Sequence, residues 1–237
     1  MLNRSIYHHT NFWCLWLPLL CLALQFLVEA FVPEPLYTRL HTENGPVEIL
    51  QCVVLLPALL AALRLLLTLR FQPPVWLSVW ALVAVMGCFY VTGEEISWGQ
   101  HFLNWNTPEY WTGINDQNET NFHNTSSWLD QKPRLLLELG VIIGGLLMPL
   151  YRRIRKKNFP AWLELIAPSR HLIPVAAIVL FIKISDKVGG GTHIVLFGRA
   201  SEVVEFFIYY FVWLYLVFLA QKALTALDKP SVTPTSV

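Results

Sequence analysis

Residues 75–102 read VWLSVWALVAVMGCFYVTGEEISWGQHF. The stretch up to Val91 contains no charged residue, and with its flanks it approaches the ~20 residues a helix needs to cross ~30 Å of hydrocarbon. Glu94 and Glu95 then close it, at the end of a helix where the dipole disfavours acids. The run is therefore expected to span a membrane over residues 75–93, with a carboxylate pair at its outer end that calls for an explanation.

Five further apolar runs flank it, at Phe12–Val32, Val47–Leu69, Leu135–Tyr151, His171–Ile184 and Glu202–Gln221. Together they point to an all-α polytopic membrane helix bundle, with about six transmembrane helices in a single domain over residues 1–227. A long, partly helical outer loop is expected at 94–133, and a disordered cytoplasmic tail at 228–237. Composition agrees: of 237 residues, 55% are hydrophobic and 14% charged, and the mean hydropathy is +0.48, above the range of soluble domains. The net charge of +1 leaves no basic field for nucleic acid. Cys14, Cys21, Cys52 and Cys88 all lie within apolar runs without metal-ligand spacing, so they read as small hydrophobes.

Basic residues are retained on the cytoplasmic side of short connections. The run YRRIRKK at 151–157 fixes that side, and Arg4, Arg64, Arg70, Lys222 and Lys229 fall with it. Both termini are then cytoplasmic. The first run ends in Val28-Glu29-Ala30, which also matches a signal-peptide cleavage pattern; an uncleaved first helix is the preferred reading, given its length and its Trp and Phe content.

With this topology the acids collect at the outer end. Glu48 and Glu202 open helices, where the dipole favours them. Glu94, Trp98, His101 and Trp105 recur at helical spacing, which predicts that the third helix continues into the loop and presents Glu94, Glu95 and His101 as candidate catalytic groups. Glu119 and His123 lie four apart in NETNFHN, a spacing that puts two metal ligands on one helical face. Glu138, Lys183, Glu202 and Glu205 are candidate supporting residues from the other helices. Lys183 either snorkels outward or pairs with Glu205 or Asp186. The GGG at 189–191 reads as a flexible outer loop.

The blocks GEEISWGQ and ETNFHN resemble those of a group of bacterial multi-pass membrane proteins, which implies a bacterial cytoplasmic (inner) membrane location. The Glu-Glu pair also looks similar to that of membrane-embedded CAAX-type proteases, although Gly99 stands at the position of their arginine.

Three functions are open on the sequence. The first is a metal-dependent hydrolase or transferase acting on a membrane lipid or lipid-linked substrate at the outer interface. In it a divalent ion such as Zn, held by Glu119 and His123, would activate water, with a carboxylate of the 94/95 pair as general base. The second is a proton- or cation-coupled transporter using the intramembrane acids. The third is a non-enzymatic envelope assembly partner that docks through the Trp-rich outer loop.

Overall fold

The computed structural model describes residues 9–41, 45–71, 74–115, 119–122, 125–192 and 195–227. His123, the side chain of His101 and the tail Asp228–Val237 lie outside the described residues. Among those described there are helices and turns and no strand. The principal helices are α1 (Phe12–Phe31), α2 (Glu34–His41), α3 (Pro46–Leu69), α4 (Val75–Glu95), α5 (Lys132–Arg155), α6 (Ala161–Ile166), α7 (Ile173–Thr192) and α8 (Ala200–Leu227).

Five helices are long and apolar enough to cross a membrane. They match five of the expected runs, with α3 carrying the second. The remaining run, expected at His171–Ile184, falls on the turn at Arg170–Leu172 and the N-terminal part of α7. Lys183, Asp186 and Lys187 on that helix set it apart from the other five. It continues to Thr192, so Gly189–Gly191 are helical rather than a loop. Each glycine costs a helix roughly 1 kcal/mol relative to alanine. Gly189 is buried, while Gly190 and Gly191 are exposed.

Helix α8 is apolar on all sides, the pattern of a helix surrounded by protein. Its spanning window is 83% buried, against 11% for α1, so α8 is the central post and α1 a peripheral stave. It packs chiefly along α3 and α7, and α4 packs against α3. Leu55, Leu65, Ile182, Phe207 and Leu214 are fully enclosed. Helix α1 is tied to the post where Tyr210 donates to the Trp13 carbonyl at 2.6 Å and Trp13 meets Trp213 edge to face.

Close approach of α5, α7 and α8 is made at Gly145, where a Cβ would stand 2.5 Å from Ala176 Cβ and 2.9 Å from Phe211. Small residues let membrane helices approach in this way, and here the glycine lies in a π-turn at Ile143–Leu147. The four cysteines are free.

One helix supplies a ruler for charge. Arg134 and Glu138 lie near the start of α5, while Arg152, Arg153 and Arg155 occupy its last turn. At 1.5 Å per residue these sets are roughly 25 Å apart. The acidic and basic ends of the bundle are therefore at opposite ends of its membrane-crossing helices.

Candidate functional site

The expected continuation of α4 through Trp105 does not occur. The helix stops at Glu95, and Ser97 (φ 46°), Trp98 (φ 54°) and Gly99 (φ 87°) all take positive φ. Such values are uncommon for residues with a Cβ, so tertiary contacts must hold Ser97 and Trp98. The contacts are plain. The indole of Trp98 folds back over Gly93, where an added Cβ would meet its ring at 2.7 Å, and Trp98 Nε1 donates to Glu94 Oε1 at 2.8 Å.

Reversing the chain there brings the two halves of the loop after α4 together as a polar clasp. The backbone N–H of Phe122 donates to Glu94 Oε2 at 2.7 Å. Ser97 Oγ and Asn121 Nδ2 both donate to Glu119 Oε2, at 2.6 and 2.8 Å. Gln100 Oε1 accepts from the backbone and hydroxyl of Thr120, and Asn115 Oδ1 accepts from the Glu119 N–H at 3.1 Å. Glu94, Ser97, Gln100, Asn115, Glu119 and Asn121 are all buried. Buried polar groups of this kind are stable only when paired. The two sequence blocks are thus the two jaws of one structure.

Glu119 does not sit on a helix; residues 119–122 are irregular, so the i, i+4 face expected for Glu119 and His123 is not formed there. His123 lies outside the described residues, and so does the His101 side chain, whose backbone belongs to a short helix at Gln100–Leu103. Among the described residues no three His, Cys, Asp or Glu side chains are placed to share one metal ion.

Glu94 and Glu95 part company. Being adjacent on a helix they point about 100° apart; Glu94 serves the clasp, and Glu95 turns into the bundle. Tyr209 of α8 donates its hydroxyl to Glu95 Oε1 at 2.8 Å. Glu205, Glu48 and Glu202 stand within electrostatic range of Glu95, and Cys52 lies close to both Glu95 and Glu48. Three carboxylates from α3 and α8 therefore gather around Glu95 of α4, which is bonded to a buried tyrosine.

Two cations border the group. Arg134 Nη1 bonds Glu205 Oε1 at 2.5 Å, joining α5 to α8. Lys183 Nζ bonds Glu138 Oε1 at 3.0 Å, joining α7 to α5; its partner is Glu138 rather than Glu205 or Asp186. Gln51, fully buried one turn along from Glu48, donates its amide to the Glu202 carbonyl at 3.0 Å. Its Oε1 has no hydrogen-bond partner among the described residues, which leaves a buried acceptor beside the acids and in need of a donor.

A third polar knot closes the same end. Glu29 accepts from Gln25, from the Tyr37 hydroxyl and from the Gly198 N–H at 2.9–3.1 Å. Buried His41 stacks on Tyr37 and meets Gln25 at 3.1 Å. This knot ties α1 and α2 to the start of α8.

Sequence reasoning had named Glu94, Glu95, Glu119, Glu138, Lys183, Glu202 and Glu205, and it had treated Glu48 as a helix-opening acid. Tyr209, Gln51, Ser97 and Asn121 were missed. Tyr209 lies four residues after Glu205 in an apolar helix, a signal that could have been read. Comparison with protein-family models, with curated proteins and with solved structures gave no match.

Proposed function

We propose that this chain is a proton-coupled transport protein of a bacterial inner membrane, with both termini cytoplasmic and with Glu95, Glu48, Glu202, Glu205 and Tyr209 forming its proton-binding site at the outer end. The observation that carries the reading is the gathering of acids from α3 and α8 around Glu95 of α4, which Tyr209 bonds inside the bundle. Glu48, Glu202 and Glu205 stand within electrostatic range of Glu95, and Glu205 is bonded by Arg134. Charge held among membrane helices is costly and marks ion or proton pathways. Protons are the compensating species favoured here, because a proton needs one carboxylate oxygen, whereas a metal ion needs several donors converging on one point.

The bonds at this site also run between helices. Tyr209–Glu95 joins α8 to α4, Arg134–Glu205 joins α5 to α8, and Lys183–Glu138 joins α7 to α5. Loading or unloading a proton therefore alters which helices are held together, the step that couples binding to movement. A docking loop would have no use for inward-facing acids, and Glu94 and Glu119, the first candidates for hydrolytic chemistry, are engaged in the clasp.

Proteoliposomes on a solid-supported membrane test the reading. A pH jump should produce a charge displacement in the wild type that Glu95→Gln removes, and a sodium jump should not. Displacement that persists in Glu95→Gln, or that follows sodium and not pH, contradicts it.

A further inference from the structure

A second site lies at the opposite, basic end of the bundle and is independent of the acid cluster. A cavity of about 620 Å³ opens between the end of α5, helix α6, the turn at Arg170–Leu172 and the last turns of α8. Its polar lining is Arg152, Glu164, Ser169, Arg170, Lys222 and Thr225. Three cations face one carboxylate, a net charge of +2.

That carboxylate is already committed. Glu164 accepts from Arg152 Nη2 at 2.6 Å and from the Phe159 N–H at 2.8 Å, and its carbonyl accepts from Lys222 Nζ. Glu164 thus organises Arg152 and Lys222 on the cavity wall. Arg170 is exposed and has no carboxylate partner among the described residues. Arg152 Nε is buried without a hydrogen-bond partner among the described residues, a donor left over after Glu164 is satisfied. Such a set of guanidinium and ammonium donors matches the oxygens of a phosphate.

The other wall is apolar, formed by Phe218, Leu219 and Leu165. Beside it Trp162 (58% exposed) and Ile154 (67% exposed) face outward, Trp162 in the position such side chains take at headgroup level. Phosphate-binding groups next to an apolar, outward-facing surface fit an amphiphile with an anionic head.

We propose that this cavity binds the phosphate headgroup of an anionic phospholipid, with Arg170, Arg152 and Lys222 as ligands and the acyl chains running along the outside of α6 and α8. A basic pocket between helices at the cytoplasmic face is a recurrent setting for such lipids.

The test uses the full-length chain in detergent, titrated with short-chain phosphatidylglycerol, short-chain phosphatidylcholine and inorganic phosphate, with binding read by thermophoresis. Phosphatidylglycerol should bind saturably, at least about tenfold tighter than either of the others, and Arg170→Gln should weaken it by about tenfold, the loss of one charge-assisted contact. Lys156→Gln/Lys157→Gln, on the basic run outside the cavity, should leave the affinity within about twofold. Because Arg170 has no ion-pair partner among the described residues, its substitution should leave the fold intact, and the elution profile of the variant checks this. Equal binding of phosphatidylcholine, inorganic phosphate binding as tightly as the lipid, an unaffected Arg170→Gln, or an equal loss in the Lys156/Lys157 variant would each overturn the proposal.

Discussion

Replacing Gly93 with alanine tests the clasp at the point where it leaves the membrane helix. The new Cβ would lie 2.7 Å from two ring atoms of Trp98 and 2.9 Å from a third. An indole cannot swing aside as a flexible chain end can, so the ring must be displaced bodily. Overpacking of this kind costs about 1–3 kcal/mol. Displacing Trp98 also breaks its 2.8 Å bond to Glu94, a charge-assisted contact to a buried group that contributes about 1.5–3 kcal/mol. Against these stands a gain of about 1 kcal/mol from removing a glycine inside a helix. The balance is a loss of about 1.5–5 kcal/mol, centred on ~3 kcal/mol, concentrated in the clasp.

Gly87 supplies the control. It lies in the same helix, and a Cβ there would meet nothing within 4 Å, so Gly87→Ala should be neutral or slightly stabilising. The assay is hydrogen exchange in detergent, comparing amides of residues 119–122 with those of α8. Gly93→Ala should accelerate exchange at 119–122 by about thirtyfold or more and leave α8 unchanged. Protection at 119–122 equal to that in Gly87→Ala would refute the reasoning.

Other perturbations separate the remaining contacts. Ser97→Ala removes the 2.6 Å donor to buried Glu119 and should weaken protection of the same amides by about 1–3 kcal/mol, read by the same exchange experiment. Gly145→Ala should lower thermal stability by about 1–3 kcal/mol, because its Cβ would enter Ala176 and Phe211, whereas Gly140→Ala, with open space around it, should leave the melting temperature unchanged or slightly raised. Lys183→Met strands buried Glu138. Since the lysine is 41% exposed, the cost should be about 1–3 kcal/mol, below that of breaking a fully buried pair, and Glu138→Gln in the same chain should restore most of it in a denaturation series.

The membrane-crossing helices were legible because hydrocarbon imposes a length and a composition on any span; the expected limits of Val47–Leu69 and those found for α3 differ by one residue. The gathering of acids at one end was also legible, since α5 carries acid-pairing residues at its start and arginines at its finish. What the sequence hid was decided by contacts across long separations. A helical stripe through Glu94, Trp98 and His101 is a sound local pattern, yet Trp98 gains more by folding onto Gly93 and Glu94 than by continuing the helix, and Ser97 accepts positive φ as a result. Glu95 finds its partner Tyr209 114 residues later, a pairing no local spacing announces. Gly189–Gly191 read as a loop by propensity, yet they continue the helix to Thr192.

The central claim is that the carboxylates around Tyr209 exchange protons with the aqueous phase. Infrared difference spectroscopy across a pH titration of the reconstituted chain tests it most directly, because a protonated carboxyl absorbs apart from a carboxylate. The account predicts a titrating carboxylic-acid band in the wild type that is absent from Glu95→Gln, shifted in Tyr209→Phe and preserved in Glu94→Gln. Identical difference spectra for wild type and Glu95→Gln, or loss of the band only in Glu94→Gln, would contradict it.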